Sequence, residues 1–147
     1  MQMQHRVEAR YRREHGKAPH MLITDEDVEA LIDALLTGPS YHNLAQLHSL
    51  ERPLLPSGYP DHELLVGVNR DLPVGVLAFM DAKSGNVVTL GSPEGRAKAP
   101  YLIMGQVTEF PDHSEVPVEL VRQAVKEFLA SGGKRPSCVE WQVPEAW

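Results

Sequence analysis

Two segments with apolar residues at helical spacing enclose a run of short strand-like segments, and this order constrains the fold more than any other feature. The first segment follows Thr24, a favourable N-cap, carries acidic residues in its first turn and ends at Gly38-Pro39. The second begins near Pro117 and ends at Gly132-Gly133. The apolar positions are Val28, Leu31, Ile32, Leu35 and Leu36 in the first segment and Leu120, Val121, Ala124, Val125, Phe128 and Leu129 in the second. Because residues three and four apart share one side of a helix, this spacing predicts two amphipathic helices.

The residues between the helices, and those after the second helix, alternate short apolar runs with turn-forming residues. Strands are predicted over residues 44–50, 63–68, 74–80, 86–90, 101–110 and 139–143, with residues 101–110 forming one strand or two pieces broken at Gly105. Residues 91–100 are predicted to form a long hairpin tip. Short connections favour antiparallel neighbours, because parallel strands need a long crossover. We therefore expect an α+β fold, with a mainly antiparallel sheet of about five to seven short strands and two amphipathic helices on one face.

The N-terminal segment is basic and alternates apolar with polar residues. Val7, Ala9 and Tyr11 share one side, which predicts a half-buried strand. Residues 1–20 have a net charge of +3, which leaves −9 on the other 127 residues of a chain whose total is −6. Basic side chains protect edge strands from unwanted pairing, so this segment could form an edge strand of a single domain spanning residues 1–147.

Composition excludes several classes of protein. Apolar residues make up 42% and charged residues 23%, as in ordinary globular proteins rather than disordered or fibrous ones. No apolar run approaches the roughly 20 residues of a membrane span, and none follows the basic N-terminus as in a signal peptide, so we expect a cytoplasmic protein with no membrane partner. The single Cys138 leaves no internal disulfide and no zinc site that needs two thiolates. The acidic body disfavours direct binding of nucleic acid and favours a basic partner, although acidity also serves solubility.

Several short motifs contain residue types used in catalysis or metal binding, but none has the spacing that such chemistry requires. Neighbouring residues of a strand point to opposite faces, so Asp61-His62-Glu63 is interpreted as a surface loop before a strand. Asp112-His113-Ser114 is interpreted as a polar loop, because a catalytic triad is defined by geometry across the fold. Gly91–Arg96 lacks the ending of a phosphate-binding loop, and Cys138 lacks the second cysteine of a zinc deaminase and is predicted to lie in the core. We therefore predict no catalytic, cofactor-binding or metal-ligating residues.

Three segments together resemble a known family of bacterial proteins. They are Thr24 to Leu35 (TDEDVEALIDAL), Asn86 to Pro93 (NVVTLGSP) and Arg135 to Trp141 (RPSCVEW). With these segments in this order, the chain from Val7 to Trp141 resembles immunity protein family one of the bacterial polymorphic toxin systems. The resemblance implies a small α+β protein that binds a cognate toxin in the cytoplasm and prevents self-intoxication, with no catalytic residues and no cofactor. It also implies a toxin that is often of the deaminase superfamily, one member of which acts on cytosine in double-stranded DNA.

The resemblance assigns no fixed binding motif, so candidate contacts come from the residues themselves. A toxin that acts on nucleic acid needs a basic substrate groove, which an acidic protein can occupy in place of phosphates. The predicted toxin-binding residues are acids near loop tips and two aromatic side chains that could anchor a complex: Asp61, Glu63, Asp81, Glu94, Asp112, Glu115, Tyr59 and Tyr101. The alternatives are a small ligand-binding domain or enzyme that uses residues 53–63, and an adaptor that pairs through its acidic surface or an edge strand.

Overall fold

The structure, a computed structural model, describes residues 5–96, 98–145 and 147. Its helices are α1 (Asp25–Thr37) and α2 (Val118–Ala130), with short 3-10 helices at Arg13–Gly16 and Ser40–His42. Its strands are β1 (Val7–Arg10), β2 (His20–Leu22), β3 (Leu44–Ser49), β4 (His62–Asn69), β5 (Val74–Asp81), β6 (Gly85–Thr89), β7 (Ala99–Ile103), β8 (Gln106–Phe110), β9 (Val116–Pro117) and β10 (Trp141–Gln142). Neither described helix is long and apolar enough to cross a membrane.

Eight of the described strands form one antiparallel sheet, in the order β10-β6-β5-β4-β3-β1-β2, with β9 paired to β5. The longest pairing joins β4 to β5, from His62 opposite Asp81 to Asn69 opposite Val74. Strands β7 and β8 form a separate hairpin. The predicted α+β class and mainly antiparallel sheet are confirmed. The main sheet has more strands than the predicted five to seven, and β9, of only two residues, is too short to show alternation.

Both helices pack on one face of the main sheet, as predicted. Thr24 Oγ1 accepts a hydrogen bond from the Asp27 N–H at 3.2 Å, and the Asp27 carboxylate accepts one from the Thr24 N–H at 3.0 Å, which closes the capping box of α1. Arg122 of α2 joins the two helices through hydrogen bonds to Glu29 (3.0 Å) and Asp33 (2.8 Å). The core beneath them includes Val28, Ile32, Val125 and Phe128 of the helices and Ala9, Leu47, Leu64 and Phe79 of the sheet.

The β7–β8 hairpin covers half of the opposite sheet face. Its Tyr101 and Phe110 are buried against sheet residues Leu44, Leu65, Val76, Ala78 and Val88. Gly67 permits this contact, because a Cβ there would lie 2.7 Å from Cδ1 of Tyr101. The segment 101–110 is therefore two strands, which turn at Gly105 (φ +80°). The hairpin leaves the other half of this sheet face uncovered, and its side chains are partly exposed to solvent.

Three local predictions are wrong. Strand β1 is not an edge strand, because it lies between β2 and β3, and β2 forms the edge. The segment that begins at Gly91 is not a hairpin tip: β6 and β7 belong to different sheets, and a Cβ at Gly91 would lie 1.8 Å from the carbonyl oxygen of Glu115. The last strand is β10 alone, because residues 137–139 bend. Residues 1–4 of the basic segment lie outside the described residues.

Candidate functional site

The open half of the sheet presents mainly polar side chains from five adjacent strands. They share one face because they alternate with core residues: Glu8 and Arg10 on β1, Gln46 and His48 on β3, Glu63 on β4, Met80 on β5 and Asn86 on β6. We call this surface the open sheet face. Two hollows of about 490 and 580 Å³ lie along it. A polar, concave surface on a rigid sheet is suited to binding a partner.

Residues 50–60 border the open sheet face and expose apolar side chains to solvent. Leu54 is 64% exposed and Tyr59 is 72% exposed, and Tyr59 lines both hollows. The turn between them is closed by hydrogen bonds from the Leu55 N–H to the Tyr59 carbonyl (2.7 Å) and from the Gly58 N–H to the Leu55 carbonyl (2.8 Å). We call Leu54 and Tyr59 the apolar ridge.

Arg52 holds this loop against the sheet and against the end of α2. Its Nη2 donates to Oδ2 of Asp61 at 3.1 Å and to Oδ2 of Asp81 at 2.7 Å, and its Nη1 donates to the Gly133 carbonyl at 3.0 Å. The guanidinium also lies 5.9 Å from the centre of the Phe79 ring. Asp61 lies immediately before β4, Asp81 ends β5 and Gly133 lies in the turn after α2, so one side chain fixes the loop to three parts of the fold.

The pKa of the Asp81 carboxyl lies well below its ordinary value. Burial would raise its pKa, but hydrogen bonds from Arg52 and from the backbone N–H groups of Lys83 (2.8 Å) and Ser84 (3.1 Å) lower it to about 2. The Arg52 guanidinium therefore binds Oδ2 of the carboxylate, and the two backbone N–H groups bind Oδ1.

His62 is buried, which contradicts its interpretation as part of a surface loop. It is the first residue of β4, and its Nε2 accepts a hydrogen bond from the Ser49 N–H at 2.8 Å. The ring proton must therefore be on Nδ1, which donates to Oδ1 of Asp61 at 3.0 Å. Burial lowers the pKa of His62, so the ring is neutral at pH 7. The alternation His62, Leu64, Val66 along β4 was the signal that could have placed it in the core.

One polar contact on the open sheet face joins side chains of neighbouring strands. His48 Nε2 lies 3.1 Å from Oε1 of Glu63 across the β3–β4 pair. No group of three or more His, Cys, Asp or Glu side chains in the described chain is arranged to hold a metal ion.

The structure brings four of the eight predicted contact residues together. Tyr59, Asp61, Glu63 and Asp81 all line the 490 Å³ hollow. Sequence reasoning missed Leu54 and Arg52 within the same surface, because a proline-rich loop shows no periodicity that separates exposed from buried positions.

The other four predicted residues lie elsewhere, at the opposite end of β5 and β6. Glu94 and Asp112 are exposed on neighbouring turns. Tyr101 is fully buried and donates its hydroxyl proton to Oε2 of Glu115 at 2.5 Å. Glu115 also pairs with Arg96 through two hydrogen bonds of 2.8 and 2.7 Å. The predictions of Tyr101 and Glu115 as partner contacts are wrong, because both side chains are buried in the fold and hydrogen-bonded to each other, with Glu115 also bound by Arg96.

Comparison with known proteins identifies a family. The family model described as "Immunity protein Imm1" matches residues 16–143. No curated protein matches. Among solved structures, the chain is similar to one described as "Crystal structure of a hypothetical protein from Neisseria gonorrhoeae", with 10% sequence identity over 93% of each chain and a TM-score of 0.47. A likeness at that TM-score supports no conclusion about this chain.

Proposed function

The chain belongs to the Imm1 family of immunity proteins, and on that premise we propose that it neutralises a nucleic-acid-targeting toxin of the deaminase class by covering the toxin's active site in the cytoplasm. The family match supports an immunity protein with a cognate toxin as its partner. The class of toxin and the mode of inhibition are the proposal. In this function the chain contributes shape and charge and performs no reaction.

The observation that carries the proposal is the charge and shape of the open sheet face. The charged residues that line its two hollows are Glu8, Asp61, Glu63 and Asp81, together with Arg10 and Arg52. With histidines neutral, this set has a net charge of −2. A toxin that acts on nucleic acid must bind phosphates through Lys and Arg. A concave acidic surface suits those same side chains and would compete with the substrate for them.

The charge of the whole molecule supports the same partner. The chain carries −6, and the acidity resides outside its basic first 20 residues. Such a field raises the rate at which a basic partner is encountered, whereas buried contacts set how long the complex lasts. Fast capture of a newly made toxin is what an inhibitor of self-intoxication requires.

The experiment is co-expression with the toxin domain encoded beside this gene. Cells that produce the toxin domain alone should die, and cells that also produce this chain should survive. In vitro, deamination of cytosine in double-stranded DNA by the purified toxin domain should fall as the chain is added and reach its minimum at a 1:1 ratio. Leu64→Asp, which places a carboxylate at a fully buried position, serves as the unfolded control.

Two results would contradict the proposal. If cells die despite production of folded chain, the chain does not neutralise this toxin. If the complex forms and still binds DNA as tightly as the free toxin domain, the chain does not cover the substrate groove. Turnover of a small molecule by the purified chain would instead favour the alternative of a ligand-binding domain or enzyme that uses residues 53–63.

A further inference from the structure

Three exposed apolar side chains meet at one hollow beside the open sheet face. Leu50, Leu54 and Tyr59 all line the 580 Å³ hollow, and each is at least one-third exposed. Single exposed apolar residues are ordinary on protein surfaces, but a group of them around one concavity marks a contact with another molecule. Tyrosine is also among the residues that most often dominate the energy of an interface.

The loop that carries the apolar ridge is held in place before any partner arrives. Leu54 pairs with Pro60 in a backbone bridge, and the turn between them has its own hydrogen bonds. Pro53 and Pro56 restrict the loop further, since proline fixes one backbone angle. Arg52 ties the base of the loop to the sheet and to the turn after α2. A surface of this kind loses little conformational entropy on binding.

Carboxylates lie on one side of the ridge. Glu63 lines the 490 Å³ hollow together with Asp61 and Asp81, whereas in the 580 Å³ hollow Glu8 is already hydrogen-bonded to Arg10 at 2.9 Å. A complementary surface would therefore offer an apolar pocket with a Lys or Arg side chain at the rim that faces Glu63. Such a side chain would pair with Glu63, and Arg can also stack on the tyrosine ring.

We propose that Leu54 and Tyr59 are the anchors of the complex, which enter an apolar pocket of the toxin next to its basic groove while Glu63 meets a Lys or Arg at the pocket's rim. This inference rests on the proposed function and adds a division of roles. The apolar ridge determines how slowly the complex dissociates, and the carboxylate determines how fast it forms.

The test measures binding of purified variants to the immobilised toxin domain encoded beside this gene. Leu54→Ala and Tyr59→Ala should each raise the dissociation constant by about thirtyfold or more, mainly through faster dissociation. The controls are Leu72→Ala and Val107→Ala, whose side chains are 47% and 57% exposed on other surfaces and whose loss should change affinity by less than about twofold. Glu63→Gln should slow association and reduce its dependence on salt, whereas Tyr59→Ala should leave that dependence unchanged.

The possible outcomes distinguish a failure of the anchor assignment from a failure of the proposed function. If the wild-type chain does not protect cells from the toxin, the proposed function fails. If the wild-type chain protects cells but the ridge variants, with wild-type urea midpoints, bind as tightly as it does, only the anchor assignment is refuted. It is also refuted if the control variants lose as much affinity as the ridge variants. A chain that dimerises alone, and loses this property on Tyr59→Ala, would assign the ridge to a second copy of itself.

Discussion

Replacement of Arg52 by methionine removes the charged hydrogen bonds of the loop while keeping a side chain of similar length. In the variant, Asp61 and Asp81 keep their negative charges at pH 7 without the guanidinium between them. The Asp81 side chain is only 12% exposed, so water can replace little of the hydrogen bonding that Arg52 provided. The Gly133 carbonyl also loses its donor. We expect the free energy of unfolding to fall by about 3 kcal/mol at pH 7.

The magnitude follows from three contributions. Lowering the pKa of Asp81 from 3.8 to about 2 corresponds to about 2.5 kcal/mol of stability, at about 1.36 kcal/mol per pKa unit. Backbone donors share that effect, so the part due to Arg52 is about 1 kcal/mol. The hydrogen bonds to Asp61 and to the Gly133 carbonyl add about 1 kcal/mol each. For a chain of this size the melting temperature should fall by roughly 6–12 °C.

The lowered pKa of Asp81 also makes the stability of the protein depend on pH. The pKa of Asp81 is lower in the folded protein than in the unfolded chain, so its stabilisation is complete above pH 3.8 and is lost as pH falls towards 2. The part of the difference in stability between wild type and Arg52→Met that comes from Asp81 should therefore be constant from pH 7 to pH 5 and should narrow between pH 4 and pH 2. Because the Arg52 charge also lowers the pKa of His62, its removal should narrow the total difference slightly further as pH falls below 7.

Urea denaturation followed by circular dichroism at several pH values measures both effects. Arg70→Met, at an exposed position in the turn after β4, is the matched control and should change stability by less than about 0.5 kcal/mol. A loss for Arg52→Met no larger than that of the control, or a difference that stays the same from pH 7 to pH 2, would refute the assignment of Arg52 as the residue that fixes the loop.

Three further predictions concern other parts of the chain. Thr24→Ala should lower the free energy of unfolding by about 1 kcal/mol in urea denaturation because α1 loses its N-cap, whereas Thr24→Ser should be nearly neutral. Tyr101→Phe should cost about 1.5–3 kcal/mol in the same assay, since a buried hydroxyl no longer donates to Glu115; a neutral result would contradict that role. Replacing Glu94 and Asp112 together by lysine should slow association with the toxin domain and flatten its salt dependence; unchanged kinetics at low and high salt would remove this surface from the encounter.

The helices could be predicted from sequence because their signals are local. Residues three and four apart define the buried side, and the cap lies within one turn of the first helical residue. Thr24 and Gly38 are therefore found at the ends of α1 as predicted. The strands between the helices follow for the same reason, since alternation and turn residues are visible within a few positions.

Whether an individual polar residue is buried or exposed could not be predicted in this way, because its burial depends on contacts between distant segments. Asp112 and Glu115 both follow β8 in an acidic loop, yet only Asp112 is exposed. Glu115 is enclosed because the segment after Gly91 crosses it and supplies Arg96. Tyr101 became a candidate anchor as an aromatic residue, but its position beneath Gly67 follows from how the hairpin folds back on the sheet. These contacts span 14 residues or more and leave no local pattern.

The open sheet face nevertheless corresponds to a pattern in the sequence, which can be recognised once the register of the strands is known. On each of four neighbouring strands the residues of this face change from apolar under the hairpin to more polar or longer beyond it. The changes are from Leu44 to Gln46 and His48, from Leu65 to Glu63, from Ala78 to Met80 and from Val88 to Asn86. The pairings of Gln46 with Leu65, Glu63 with Met80 and Met80 with Asn86 place these changes side by side across the sheet. A boundary shared by four strands is what a sheet requires when a short hairpin covers one half of a face and water covers the other. The chain therefore specifies the open surface as clearly as it specifies the core, and a partner placed there would contact the half of the sheet that its own hairpin leaves uncovered.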